Sequence, residues 1–91
     1  MAITELYTTI LERKEHPTEG SYTSSLFTKG LPRIAQKVGE EGTEVVVAAL
    51  SQENARLVEE IADLAYHVLV LMVAKGINPQ DVATELEKRR K

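Results

Sequence analysis

Cysteine is absent from the 91 residues, so neither a disulfide nor a thiolate zinc site is open to this chain. That absence is compatible with a reducing cytosol. Long apolar runs are missing too. The longest, "VLVLMVA" at 68–74, is far short of the ~20 residues a membrane span needs. The N-terminal "MAITELYTTILERKEH" carries acids from Glu5 onward and lacks the apolar stretch and small-residue cleavage site of a secretory signal. A cytoplasmic protein with no membrane partner is expected. The net charge of −3 is mild and gives no electrostatic footprint for nucleic acid. No linker-like shift in composition, low-complexity segment, extended heptad run or convincing strand interrupts the pattern. One small domain over residues 1–91 is expected, with a core thin enough that a metal or a partner subunit would help it.

What the chain does have is helical periodicity and clustered acids. Ile3, Leu6, Tyr7, Ile10 and Leu11 follow the spacing of one apolar helix face, which predicts a first helix over 3–14, stopped by Pro17. The hydroxyl-rich segment 17–30, "PTEGSYTSSLFTKG", reads as a long functional loop anchored by Leu26 and Phe27, with at most a short helical turn. Pro32 suits the first turn of a second helix over 31–50. Ser51 is expected to cap a third helix over 52–75, with Glu53 in its first turn, and Gly76 to end it. Asn78-Pro79 opens a fourth, which ends in the basic run Lys88–Lys91. The expected fold class is all-α, with four helices.

At ~100° of turn per residue, Leu31, Ile34, Ala35, Val38, Val45 and Ala49 form one face of the second helix. Glu41 lies at its edge, Glu44 and Lys37 lie further round the same side, and Glu40 lies beyond them. On the third helix Leu57, Ile61, Leu64, Val68, Leu71 and Met72 form the core face, with Glu60 at its edge. Asp63 and His67 follow on the same side, and Glu59 lies beyond. If the two helices pack antiparallel, the carboxylates can converge. Converging carboxylates resist ionising together unless a cation offsets them, and an all-oxygen set suits magnesium, manganese or calcium. Acid runs on helices are usually a solvated face; two matched pairs at the rims of two apolar faces favour the metal. A di-iron bundle fits poorly, because the required Glu-x-x-His spacing is absent. Gly42 falls on the core face and suggests close helix approach; Gly39 has no evident reason.

Val58, Ala62, Ala65, Leu69 and Val73 widen the apolar arc of the third helix beyond one face. A helix apolar over more than half its circumference needs covering on two sides. A homodimer follows from that arc.

"E-E-G-T-E" followed by "E-E-I-A-D" resembles the all-α nucleotide pyrophosphohydrolases, whose signature is E-x-x-E, a spacer and E-x-x-D. Here it is Glu41, Glu44, Glu60 and Asp63, with fifteen residues between the pairs. The flanking "SYTSSLFTKG", "KVGEEGTEVVVAA" and "EEIADLAYHVLVLM" resemble the phosphoribosyl-ATP pyrophosphohydrolase family of histidine biosynthesis, over about residues 21–91. The resemblance implies hydrolysis of phosphoribosyl-ATP to phosphoribosyl-AMP and pyrophosphate in an intertwined helical-bundle homodimer whose sites draw on both subunits. It implies Mg2+, with Mn2+ as a substitute. The length fits the stand-alone form rather than one fused to a cysteine-bearing cyclohydrolase.

On that footing Glu41, Glu44, Glu60 and Asp63 are the expected metal ligands. Glu41, or Glu40 swung inward, is the expected water-activating group. Lys37, Lys29, Tyr22, Thr23, Ser24 and Ser25 are expected to contact substrate, with His67 supporting a metal-bound carboxylate from behind. The ordinary alternatives are a surface ion pair for Lys37, a polar connector for residues 22–25 and a satisfied helix-contact histidine for His67. Arg33 is a weaker candidate, and the basic run at the end complements the negative end of its helix. Two rival readings stand beside this one: a house-cleaning nucleoside triphosphate pyrophosphohydrolase, which the acids fit equally, and a metal-free helical dimerisation module, which leaves the matched acids unexplained.

Overall fold

The computed structural model describes residues 1–90 and is all-α. Five helices follow one another: α1 (Ile3–Glu15), α2 (Tyr22–Lys29), α3 (Leu31–Ser51), α4 (Asn54–Lys75) and α5 (Pro79–Lys88). The expectation of four helices is therefore corrected by one. The segment 22–29 is a helix rather than a loop. Ser21 caps it by accepting the Ser24 backbone N–H at 3.1 Å, Leu26 is buried beneath it, and Gly30 closes it at φ 96°. Ser51 also differs from its expected role. It is the last residue of α3, its hydroxyl donating to the Val47 carbonyl at 2.7 Å, and Glu53 occupies the cap position of α4.

Other boundaries follow the local chemistry. Gly76, at φ 71°, takes the left-handed position that ends α4, and the Gly76 and Ile77 N–H groups donate to the Val73 and Met72 carbonyls. Asn78 and Asp81 form a reciprocal capping box at 2.9 Å in both directions, with Pro79 in the first turn of α5.

The two-residue connection between α3 and α4 makes them a long antiparallel hairpin, the most extensive helix contact in the molecule. At one end of that hairpin α1 and α2 pack on it, and the core lies there: Ile10, Leu26, Ile34, Leu69, Val70, Met72 and Val73. The other end extends past them, leaving Val46, Val47, Leu50, Val58 and Ile61 exposed. α5 touches only α1 to any extent and buries none of its residues. No helix among the described residues is long and apolar enough to cross a membrane.

The face α3 uses inside the chain is shifted from the expected one, and that of α4 is the expected one widened. On α3 the covered positions are Ile34, Val38, Glu41, Val45 and Ala48, while Leu31, Ala35 and Ala49 are exposed. On α4 five of the six expected core positions, Leu57, Leu64, Val68, Leu71 and Met72, are covered and only Ile61, 48% exposed, is not; the covered arc is wider than expected and takes in Glu60 and His67. Nor is Gly42 a point of close approach, because a Cβ there would meet nothing within 4 Å. In the terminal run, Lys88 and Arg89 pair with Glu85 and Arg90 pairs with Glu87, while Lys91 lies outside the described residues.

Candidate active site

The covered arcs of both helices take in acids expected at their edges. Glu41 and Glu60 are buried in the α3/α4 contact and Asp63 stands at its exposed rim. One carboxylate oxygen from each lies within 4.8 Å of the other two. Three hard oxygen donors at that separation, open to solvent through Asp63, could hold a hard divalent cation. Glu44 is exposed one turn beyond Glu41 and is not part of this set; among the described residues it has no ion pair.

Lys37 and Arg56 offset the buried acids. Lys37 Nζ lies 2.9 Å from Glu41 Oε1, and Arg56 Nη2 lies 2.8 Å from Glu60 Oε1. The hydrogen bond from Lys37 holds the Glu41 carboxyl below its ordinary pKa, outweighing the opposing effect of burial, with Asp63 and His67 lowering it further. The same bond raises Lys37 above the ordinary lysine value. Glu40 points the other way: its oxygens meet Arg33 Nη1 at 3.3 Å and Lys37 Nζ at 3.6 Å, and it is exposed.

Helix α2 is fastened to this site by two side-chain links. The His67 ring, 3% exposed, has both nitrogens engaged. Nδ1 is 2.8 Å from the Asp63 carbonyl, which only accepts, so Nδ1 carries the proton and donates. In the neutral ring Nε2 then accepts from the Tyr22 hydroxyl at 2.8 Å. Burial raises the Tyr22 phenol above its ordinary pKa. Nδ1 also faces the Asp63 carboxylate at 3.8 Å. The second link joins the hydroxyls of Thr23 and Tyr66. Tyr22 and Tyr66 stack, and His67 meets both rings edge-on.

The remaining candidates separate by environment. Ser24 is buried, its hydroxyl donating to the Arg13 carbonyl at 3.2 Å and accepting the Thr18 N–H at 3.0 Å, so it ties α2 to the end of α1. The Ser25 hydroxyl donates to the Tyr22 carbonyl at 2.6 Å. Lys29 is exposed in the last turn of α2. Sequence reasoning passed over Arg56 and Tyr66. Arg56 stands four residues ahead of Glu60, as Lys37 does ahead of Glu41, and that i, i+4 spacing was the available signal. Tyr66 gave none, because a tyrosine beside an apolar run reads as core.

Residues 3–90 match the family model of phosphoribosyl-ATP pyrophosphohydrolase. The phosphoribosyl-ATP pyrophosphatase of Saccharolobus solfataricus is 49% identical over 89 residues, covering 98% of this chain and 95% of that protein. The protein of the same name from Sulfurisphaera tokodaii is 54% identical over 86 residues, covering 94% and 92%. That of Clostridium botulinum is 52% identical over 88 residues, covering 97% and 80%. With nearly its whole length matched, the chain belongs to the phosphoribosyl-ATP pyrophosphohydrolase family.

Proposed function

We propose that this chain hydrolyses phosphoribosyl-ATP to phosphoribosyl-AMP and pyrophosphate, the second step of histidine biosynthesis, at the carboxylate cluster of the α3/α4 hairpin. The observation that carries the reading is the meeting of Glu41, Glu60 and Asp63 in a chain that matches the family over residues 3–90. These three would hold a magnesium ion, with manganese as its substitute. Such an ion, when bound, offsets the charge of the triphosphate and of the departing pyrophosphate.

The chain's own groups do the rest. Glu41, buried at the cluster, orients or deprotonates the attacking water. Glu40, held by two cations, keeps those cations in place. Lys37 and Arg56, paired with the cluster glutamates, are the cations that would meet the incoming phosphates. Tyr22 fixes the His67 ring, whose Nδ1 is bonded to the Asp63 carbonyl and faces its carboxylate at 3.8 Å, which makes Tyr22 and His67 positioning groups and leaves the face of α2, with Thr23 and Lys29, to meet the ribose and outer phosphates. Ser24 is a structural residue in this scheme. Glu44, exposed beside the cluster, is available to a second ion.

The assembly in this reading is a homodimer. A groove of about 690 Å³ between α4 and α5 is lined by Ile61, Leu64, Ala65, Val68, Val82 and Leu86 among others, and a second copy would cover it.

The test is pyrophosphate release from phosphoribosyl-ATP beside a panel of ATP and dNTPs, with and without magnesium. Magnesium-dependent release from phosphoribosyl-ATP alone is expected. Release from the panel but not from phosphoribosyl-ATP would overturn the substrate, and no release from anything by folded protein would overturn the enzyme.

A further inference from the structure

Two eight-residue segments of the chain match position by position. "KVGEEGTE", from Lys37 to Glu44, and "RLVEEIAD", from Arg56 to Asp63, both read cation-x-x-Glu-Glu-x-x-acid. The match persists in three dimensions. Lys37 reaches Glu41 at 2.9 Å and Glu40 at 3.6 Å; Arg56 reaches Glu60 at 2.8 Å and Glu59 at 3.5 Å. In each segment the glutamate nearer the cation belongs to the cluster and is buried, its side chain 9% or 8% exposed. The farther one is outside, at 44% or 66%. The cations, at 17% and 52%, are more exposed than the cluster carboxylates they hold. Each cation therefore stands on the solvent side of a buried carboxylate, with a second carboxylate already within reach.

Stability gives no reason for this doubling, since an exposed ion pair contributes little. Charge does. Glu41, Glu60 and Asp63 bring three negative charges within 4.8 Å of one another, and they need counter-charge when no metal is bound. Lys37 and Arg56 supply two positive charges. A divalent ion supplies the same two and makes both side chains surplus at the cluster.

Building on the metal-site reading above, we propose that Lys37 and Arg56 are exchangeable counter-ions. In the metal-free protein they neutralise Glu41 and Glu60. When a divalent cation takes the cluster, they shift outward to Glu40 and Glu59 and to the phosphate oxygens of the incoming triphosphate. Metal and triphosphate then favour one another's binding, because the same two side chains leave the first site and complete the second, and the coupling is reciprocal.

The test reads Mn2+ affinity by electron paramagnetic resonance on the substrate-free protein, then the binding of inorganic tripolyphosphate at saturating Mn2+. Arg56→Gln and, independently, Lys37→Gln should bind Mn2+ about two- to five-fold more tightly than the wild type, having lost the competing cation. Both should bind tripolyphosphate about ten-fold more weakly. Arg56→Lys, which keeps the charge, should restore wild-type Mn2+ affinity. Lys75→Gln makes the same charge change in the last turn of α4 and should leave Mn2+ affinity unaltered. Mn2+ affinity unchanged or weakened in Arg56→Gln and Lys37→Gln would overturn the exchange and make the pairs fixed supports. Equal tightening in Lys75→Gln would overturn it in favour of overall charge. If the wild type binds no Mn2+ at all, the metal-site reading itself fails, and the exchange with it.

Discussion

Glu41 and Lys37 face each other at 2.9 Å inside the α3/α4 contact, one held below its ordinary pKa and the other above. The sign of their pH dependence follows. A carboxyl whose folded pKa is depressed contributes stability that is present above its unfolded value, near 4.5, and lost as pH falls through the lower folded value. The raised lysine contributes fully below its unfolded value, near 10.5, and loses that contribution as pH rises through the folded one. Urea unfolding of the wild type and Lys37→Met between pH 3 and 7 should therefore show a stability gap at neutral pH that closes below about pH 4.5. A gap independent of pH would contradict the pairing. The spacing of Glu41, Glu60 and Asp63 was legible in the sequence, because helical period alone puts them near facing rims. The depth of Glu41 was not. It was expected at the edge of an apolar face and lies within the helix contact, since the crossing of two helices, and hence which arc of each is covered, is not encoded in period.

Among the helices, α2 was the one least visible beforehand. Tyr22, Thr23, Ser24, Ser25 and Thr28 are indifferent helix formers, and eight residues make a marginal helix alone. What sustains α2 is tertiary: Leu26 buried in the core and the links from Tyr22 and Thr23 to α4. The C-terminal end of α4 and the start of α5 were readable because glycine and Asn-Pro have local causes, whereas the start of α4 was not, since Ser51 ends α3. Two glycines give opposite expectations. Gly76 holds φ 71° at the end of α4, so Gly76→Ala should destabilise by about 1 kcal/mol. Gly39 is helical and exposed, and a Cβ there meets nothing within 4 Å. Gly39→Ala should accordingly stabilise by up to about 1 kcal/mol. Thermal unfolding of the two variants decides it; destabilisation by Gly39→Ala would mean that a neighbour outside this chain occupies that space.

For the whole molecule, the wide apolar arc of α4 was legible but its division was not. One part packs on α3 and α1; another is left outward, with Val58 65% exposed and Ile61, 48% exposed, lining the groove with Val82 and Leu86 of α5. A protein of this size gains most from covering such a face. Light scattering at micromolar concentration should give a dimer, and Ile61→Lys should shift it towards monomer; a monomeric wild type would contradict the assembly. The central claim is that Glu41, Glu60 and Asp63 hold the divalent ion used in hydrolysis. Its most direct test is the magnesium dependence of pyrophosphate release from phosphoribosyl-ATP by the wild type and Asp63→Asn, a change at the exposed rim that spares the core. The account predicts a half-saturating magnesium concentration raised about ten-fold or more in the variant. Wild-type release in the presence of a chelator, or an identical magnesium curve for the two proteins, would contradict it.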